Sequence, residues 1–568
     1  MGTDEGSKGG MMGENQFLRP VTLGRIGLIV VGLLAVALLV GSNAAEAEAA
    51  KKKPPRPNVV FIMSDDQRTD EMKWMPKTRR LLGEAGTTFS RFFAPFPLCC
   101  PARMSVMTGQ YPHNHGVDGN FPPEGYYGLS RRAQLNTLPV WLKRAGYRTS
   151  HIGKYLNGYG VVNQTEIPPG WTDWHGTIDQ TSYDMFNYWV NDNGTVTKYG
   201  DDAWNEAIMS LSREVANQTF ADYNGLRGFI LQNLIVPFQG ENSVFGDTDP
   251  DTHQVDQLAN RAVQFVRRSA PKSAPFFIQF APPAPHREDL PENAGYRGIN
   301  PRVPERYQEA VEALEFPAED EVPSFDEADV SDKPGLLGEL EPLADQQNTL
   351  PLSGLEQIEN YRRGRIGNLW ALDDAVARLV TEVKQAGELR NTIFIFHSDN
   401  GWMMGEHRIP GDKYVPYEES LRVPTLVRGP GWPTGRKVSQ MASNVDLTRT
   451  ILRAARVKAG RTQDGVDLKR MANRKSKKRR AMLIEATRPL FVLPNFPYAW
   501  DVPYFGVRTD RFKYVKWSNG GEELYDLKND PYEMENLAAA PAWSTTKGRL
   551  LKQAQRLKKC KGKACVAR

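Results

Sequence analysis

The stretches "NVVFIMSDDQ" (58–67) and "NTIFIFHSD" (391–399, followed by Asn400) constrain this chain more than any other feature. Each is an apolar run without polar alternation that stops abruptly at acidic or amide residues. Such runs predict strands buried on both faces, which requires a parallel sheet covered by helices. "PFFIQFA" (275–281) reads the same way. Helical patterns around Met75–Ala85 and Leu138–Ala145, and in "IGNLWALDDAVARLVTEVKQAG" up to Gly387, supply the covering layers. Strands alternating with helices predict an α/β fold with a large, mostly parallel sheet.

With 568 residues, 40% of them apolar, the chain is long enough for one large core and a smaller satellite domain. A net charge of only +5 gives no global case for a nucleic-acid partner. Lys8, Arg19 and Arg25 precede an apolar run from Ile26 to Val40, then small residues and two Ala-Glu-Ala patterns. That run is shorter than the ~20 residues a spanning helix needs, so residues 1–49 read as a signal peptide, with a short N-terminal anchor as the alternative. Either reading puts the folded part outside the cytoplasm, secreted or at the cell surface, where disulfides persist. A basic, Pro-rich tether (50–56) leads into a main domain over 57–460. Within it, the acidic, Pro-interrupted stretch 313–346 lacks a sustained period and reads as a surface insertion. A basic linker (461–482), a small antiparallel sheet domain (483–540) and a basic tail (541–568) follow.

Asp65, Asp66, Asp399 and Asn400 all fall at the predicted carboxyl ends of strands, the edge where open α/β sheets bind ligands. Three carboxylates sharing one pocket need a cation, and an oxygen-only donor set favours Ca²⁺ or Mg²⁺ over zinc. Taken alone, each pair reads equally as turn or cap residues. In "LCCPARMSVMTG" (98–109), Pro101 suits a first helical turn and Gly109 a stop, which puts Cys99 and Cys100 at a helix N-terminus. Backbone N–H groups and the positive end of the dipole favour anions there, and Arg103 lies one turn in.

"Cys99-Cys100-Pro101-Ala102-Arg103" with the following "MSVMTGQYPHNHG" resembles the C-x-P-x-R signature of type I sulfatases. "GKYLNGYG", "APPAPH", "HSDNG", "PYEESLRVPTLVRGPG" and "ELYDLKNDPYEMENLA" follow in that family's order, with the nearest likeness to its N-acetylglucosamine-6-sulfatase branch. The resemblance implies an alkaline-phosphatase-like domain and a sulfuric ester hydrolase acting on a sulfated carbohydrate or aryl sulfate. It implies that Cys99, with Pro at plus two and Arg at plus four, is converted by a formylglycine-generating enzyme to 3-oxoalanine (formylglycine). The hydrate of that aldehyde supplies the nucleophile and carries a covalent sulfate intermediate. Cys100 is then a spacer. The resemblance further implies one Ca²⁺ (or Mg²⁺) held by Asp65, Asp66, Asp399, Asn400 and the converted Cys99. Arg103 would hold the hydrate, Lys154 and Lys413 would bind sulfate oxygens, and His286 would bind sulfate or protonate the leaving oxygen. Leu156 stands where many sulfatases have a histidine, and Asn157 follows it as a candidate substrate contact.

His407, in "GEHRIPGDK", is a second candidate for the substrate pocket, while His113 and His115 read as structural. The basic run 469–480 reads as a solvated loop, or as a patch for a polyanion. Asn163, Asn193 and Asn217 lie in N-x-Thr sequons. Trp171, Trp174 and Tyr188 either stack on a sugar or pack in the core. Cys560 and Cys565 are expected to pair, a short loop worth only ~2 kcal/mol. Two other readings stay open: a phosphonate or phosphate ester hydrolase using the same nucleophile, and a silent glycan-binding surface protein in which Cys99 is unmodified.

Overall fold

The computed structural model describes residues 55–566 except 122, 180, 201–208, 211–249, 289–299, 318–321, 347–353, 476–478 and 488–501. The signal segment, nearly all of the tether, Asn217, much of 160–250 and part of the basic run lie outside the described residues. Residues Arg56–Arg568 form one compact unit.

The strands, in chain order, are β1 (Asn58–Ser64), β2 (Thr87–Phe89), β3 (Phe92–Phe93), β4 (Arg148–Gly153), β5 (Asp173–Thr177), β6 (Trp189–Asp192), β7 (Thr195–Lys198) and β8 (Phe276–Ala281). They continue as β9 (Thr392–Ser398), β10 (Thr425–Arg428), β11 (Arg436–Val438), β12 (Ala442–Ser443), β13 (Ala481–Ala486), β14 (Tyr504–Thr509), β15 (Phe512–Trp517) and β16 (Glu522–Asp526). A ten-stranded sheet has the order β11-β2-β10-β9-β1-β8-β4-β5-β6-β7. Its centre, β9-β1-β8-β4-β5, is parallel throughout.

The apolar runs are continuous because both sheet faces are covered. Val59, Phe61 and Met63 pack with Met104, Met107, Trp141, Leu142 and Ile451 from the helices Cys99–Thr108, Leu138–Arg144 and Val445–Ala455. Val60 and Ile62 point the other way, onto Leu258, Phe265, Leu369 and Val376 of the helices Gln254–Ser269 and Leu355–Gln385. Fully burying one such side chain is worth roughly 1.5–3 kcal/mol, so this double coverage fixes which strands can be central. The long helix starts at Leu355, a full eleven residues before its apolar period becomes obvious, and ends before Gly387 at φ 77°. Met75–Ala85 winds as a short α turn, Pro76–Thr78, that widens into a π-helical turn over Arg79–Glu84.

A second sheet, β13-β14-β15-β16, is antiparallel and alternates cleanly. Met482, Ile484, Val515 and Tyr525 face Phe96, Leu98, Tyr414 and Tyr417 of the main domain. Ala481, Leu483, Val507 and Leu524 face Leu550, Ala554 and Leu557 of the helix Ser544–Leu557. The Cys560–Cys565 disulfide closes the tail beyond that helix. The acidic stretch 313–346 is anchored rather than looped out: Val330, Leu337 and Leu340 are buried in the core shared with this sheet. Among the described residues no helix is long and apolar enough to cross a membrane.

β4 ends on Gly153, opposite Ala281 at the end of β8. Its φ is +108°, and a Cβ there would lie 2.2 Å from the Ala281 carbonyl oxygen. We expect Gly153→Ala to lower the unfolding free energy by about 3 kcal/mol. Denaturant titration checks this; an unchanged midpoint would mean that the two strand ends separate at no cost.

Candidate active site

β1 and β9 run in register with Ser64 opposite Ser398, so the residues that follow each strand emerge side by side. This brings Asp65, Asp66, Asp399 and Asn400 to one edge. Asp66 turns the chain with φ 62°, and its N–H donates to Asp399 Oδ1 at 3.1 Å. The same edge receives Lys154 directly after β4 and His286 after the proline turn that follows β8. The Asp65 N–H fastens that turn by donating to the Ala284 carbonyl at 3.1 Å. Leu98 enters the Cys99–Thr108 helix in extended conformation, and Gly109 ends it at φ 70°, so Cys99 stands at its N-terminus.

The charges meet there, fully buried. Lys154 Nζ donates to Asp65 Oδ2 at 2.6 Å. Arg103 Nε donates to Asp399 Oδ2 at 2.8 Å, and its Nη2 lies 3.4 Å from Asp65 Oδ2. Lys413 Nζ donates to both Asp66 oxygens, at 2.5 and 2.7 Å, and lies 3.2 Å from Cys99 Sγ. His286 donates from Nδ1 to the Arg287 carbonyl at 2.7 Å and turns Nε2 toward Asp66 Oδ2, 3.3 Å away. Three carboxylates are thus balanced by Arg103, Lys154 and Lys413.

That balance splits the acidities. Burial acts to raise the Asp65 pKa, but Lys154, Arg103, His286 and Lys413 together hold it well below the usual range. Burial, with Asp65 and Asp66 nearby, pushes Asp399 up to about 6 in spite of Arg103. Burial disfavours the charged lysines, but Asp65 and Asp66 outweigh it and keep Lys154 and Lys413 protonated. Burial pushes the Cys99 thiol up to about 11, so it is a poor thiolate nucleophile.

The donor chemistry fits a hard cation. Asn400 Nδ2 donates to Asp66 Oδ1 at 2.6 Å and to the Gly401 carbonyl at 2.9 Å, while Asn400 Oδ1 is buried with no hydrogen-bond partner. A buried amide oxygen left without a partner costs about 1–3 kcal/mol unless a donor or a cation satisfies it. Beside three carboxylates, that oxygen completes an all-oxygen set suited to Ca²⁺ or Mg²⁺. Ligand atoms of Asp65, Asp66, Cys99 and His286 all lie within 4.8 Å of one another.

Other sequence candidates lie at varying distance from this centre. Asn157 supports it from below: its Oδ1 accepts from Cys100 Sγ at 3.3 Å, and its Nδ2 donates to Tyr183 OH at 2.5 Å. His407 pairs instead with Glu327 at 2.6 Å and packs on Tyr417, among residues that join the main domain to the second sheet. His113 bonds Glu485, and His115 bonds Ser105 at 3.2 Å, so the H-x-H pair does not converge. Trp171, Trp174 and Tyr188 are core residues.

Three residues have no counterpart in the sequence reading. Tyr183 stacks on the His286 ring with centroids 4.3 Å apart and lies under Lys154 Nζ at 4.5 Å. Trp402 lies 5.4 Å from Lys413 Nζ. Arg365 donates to the Asp66 carbonyl at 2.8 Å, to Glu71 at 2.6 Å and to the Pro285 carbonyl at 3.3 Å, clamping both loops from the long helix. Only Arg365 left a signal: it sits in the apolar row Ile358, Tyr361, Leu369, Leu372.

The sulfatase family profile matches residues 57–457, and the profile of the N-sulphoglucosamine sulphohydrolase C-terminal region matches 405–560. An arylsulfatase of Volvox carteri is 29% identical over 94% of this chain and 79% of its own. Human N-acetylglucosamine-6-sulfatase is 30% identical over 73% of this chain, which spans 64% of the human enzyme. The fold is similar to that of a protein solved with its substrate D-glucosamine-2-N,6-O-disulfate (TM-score 0.62, 21% identity, 89% of this chain and 98% of that one). It is also similar to the phosphonate monoester hydrolase of Agrobacterium radiobacter (TM-score 0.61, 20% identity, 89% and 95%). With the first profile spanning most of its length and its strand ends converging on Cys99, the chain belongs to the sulfatase family of sulfuric ester hydrolases.

Proposed function

We propose that this chain is an exported sulfatase that hydrolyses a sulfate ester of a carbohydrate resembling N-acetylglucosamine 6-sulfate, or an aryl sulfate. The observation that carries the reading is the placement of Cys99 at a helix N-terminus, against Lys413 and within the ring of Asp65, Asp66 and His286. The poor acidity of the Cys99 thiol favours a converted residue over a thiolate. Conversion of Cys99 to 3-oxoalanine by a formylglycine-generating enzyme would supply, on hydration, an oxygen nucleophile able to hold sulfate covalently between the two halves of the reaction. Asp65, Asp66, Asp399 and Asn400, with the converted Cys99, would hold one Ca²⁺ (or Mg²⁺), which supplies Lewis-acid polarisation of a sulfate oxygen.

The remaining work belongs to the chain's own side chains. Lys154 and Lys413 remain charged in a water-poor site, where electrostatic contacts to sulfate oxygens are strongest. Arg103, held by Asp399 and the Lys154 carbonyl, keeps Nη2 3.4 Å from Asp65 Oδ2 and is the cation that would hold the hydrate. His286 has Nδ1 committed to a backbone carbonyl, so Nε2 is the atom that carries a proton to the leaving oxygen. The six fixed charges cancel, so an anion entering alone leaves uncompensated buried charge. Binding of substrate and cation is therefore cooperative.

A phosphonate or phosphate ester hydrolase is the second reading, favoured by the likeness in fold to a phosphonate monoester hydrolase. Turnover of an aryl sulfate, phosphate and phosphonate under one set of conditions separates the two; a higher kcat/KM on phosphonate would replace our reading. Peptide mass of the segment containing Cys99, from protein made in the native host, is expected to be lower than that of the thiol. A wholly unmodified peptide leaves the silent glycan-binding reading instead, and full activity in Cys99→Ala would remove the mechanism.

Lys413→Ala and Lys154→Ala are each expected to lower kcat/KM roughly 10²- to 10³-fold. His286→Ala should cost about 10²- to 10⁴-fold, with the larger loss on substrates whose leaving oxygen is the more basic. Equal losses on good and poor leaving groups would exclude His286 as the acid. Treatment with a divalent-ion chelator is expected to abolish turnover and lower the thermal midpoint of the wild type, with Ca²⁺ restoring both. In Asn400→Ala the Ca²⁺ dependence of the midpoint should weaken about tenfold in concentration.

A further inference from the structure

The last helix, Ser544–Leu557, has two faces with different tasks. Leu550, Ala554 and Leu557 are buried against the second sheet. Arg549, Lys552, Arg556 and Lys559 lie at i, i+3, i+7 and i+10, and all four are exposed. At 100° per residue the three helical ones, Arg549, Lys552 and Arg556, fall on one stripe facing away from the buried row over about 10 Å of helix length, and Lys559 lies in the turn just past the helix end. Lys547, on the inner flank, pairs with Glu522 at 2.9 Å. The segment Ser544–Arg568 contains nine Lys or Arg and no acidic residue, against a net charge of +5 for the whole chain.

Like charges at these spacings repel one another and weaken a helix. Here the stripe is held by burial of the opposite face, by Lys558 over the Phe505 ring at 4.4 Å and by the Cys560–Cys565 disulfide. The position is informative as well. Alternate residues of β13 face the helix and the main domain, so the sheet separates the stripe from the loop that carries Lys413.

We propose that this stripe is a second binding surface, outside the catalytic pocket, for a linear sulfated polysaccharide. The proposal rests on the reading of the chain as a hydrolase of sulfated carbohydrate, and it adds that the enzyme holds a polymer at a distance from the ester it cleaves. A nucleic acid fits less well, because the helix and tail from 544 to 566 offer no aromatic side chain for a base to stack on. An anionic membrane fits less well too, because no large apolar side chain of this segment is exposed for insertion.

The test compares the full chain with Arg549→Gln/Lys552→Gln/Arg556→Gln/Lys559→Gln and with Lys547→Gln. The readouts are retention on immobilised heparin in a salt gradient and kcat/KM on a small aryl sulfate. The fourfold variant is expected to bind heparin at least about tenfold more weakly, with a shallower salt dependence, and to keep aryl sulfate turnover. Lys547→Gln should match the parent in both. Unchanged heparin retention in the fourfold variant overturns the proposal. So does parent retention on duplex DNA, or on phosphatidylserine vesicles, as strong as on heparin. Stripe-dependent heparin retention in a parent that hydrolyses neither an aryl sulfate nor N-acetylglucosamine 6-sulfate would sustain the surface and remove the hydrolase.

Discussion

Three carboxylates buried at one sheet edge are the constraint on which the rest depends. Asp65, Asp66 and Asp399 are fully removed from solvent, and isolated ions there would cost several kcal/mol each. The fold answers by sending a cation to each from a different part of the chain: Lys154 from the end of β4, Arg103 from the Cys99 helix, and Lys413 from the loop before β10. Removing any one partner leaves a buried charge unpaired, which is far costlier than the net worth of the pair. The register Ser64↔Ser398 is therefore both a structural and an electrostatic requirement. A slip of one residue would send every side chain of β1 to the opposite sheet face and separate the acids from their cations.

Lys413 depends in turn on the second sheet. Its loop carries four non-glycine residues at positive φ, His407, Arg408, Asp412 and Tyr414. Conformations of this kind cost of order 1–3 kcal/mol each and persist only where surroundings enforce them. The surroundings are visible. The Tyr414 N–H donates to the Pro97 carbonyl at 3.1 Å, two residues before Cys99, and the Tyr414 carbonyl accepts from Tyr504 OH of β14 at 2.5 Å. Lys513 of β15 donates to the Pro416 carbonyl at 2.8 Å and pairs with Glu533 at 2.6 Å. Arg408 reaches three carbonyls of the acidic stretch, at Glu327, Ala328 and Leu340. The small sheet and the acidic stretch are thus the frame that holds Lys413 opposite Cys99.

The sequence made the centre of the molecule legible and the frame much less so. Unbroken apolar runs identify β1, β8 and β9 because strands buried on both faces admit no polar residue, and their acidic ends mark the ligand edge for the same reason. The Cys99 helix announced itself through Pro101 and Gly109, each at a position where backbone geometry selects it. The acidic stretch 313–346 was opaque because its apolar residues follow no period: Val330 and Leu340 are buried singly from irregular chain, and Leu337 from a short 3-10 turn over Gly335–Glu339. His407 shares a loop with Lys413, but its ring turns to Glu327, a direction that the motif does not encode. Tyr183 has no sequence signal at all, because stacking on His286 depends on the β5–β6 connection meeting the turn after β8, which no local pattern encodes.

The two adjacent cysteines show how position alone separates chemistry from packing. Both thiols are buried, and burial raises the pKa of both. Cys100 is engaged: its N–H donates to Asn120 at 2.9 Å, and its sulfur accepts from the Asn157 N–H at 3.1 Å. Cys99, one residue earlier, turns through about 100° of helix and faces Asp65 at 3.9 Å and Lys413 at 3.2 Å instead. A thiol between a carboxylate and an ammonium gains little as a neutral group, and this one is too weak an acid to become a thiolate. An oxygen at the same place would accept strong hydrogen bonds from Lys413 and also satisfy a hard cation, which sulfur does poorly. By this chemistry the surroundings of Cys99 suit an oxygen atom better than the sulfur of an unmodified cysteine.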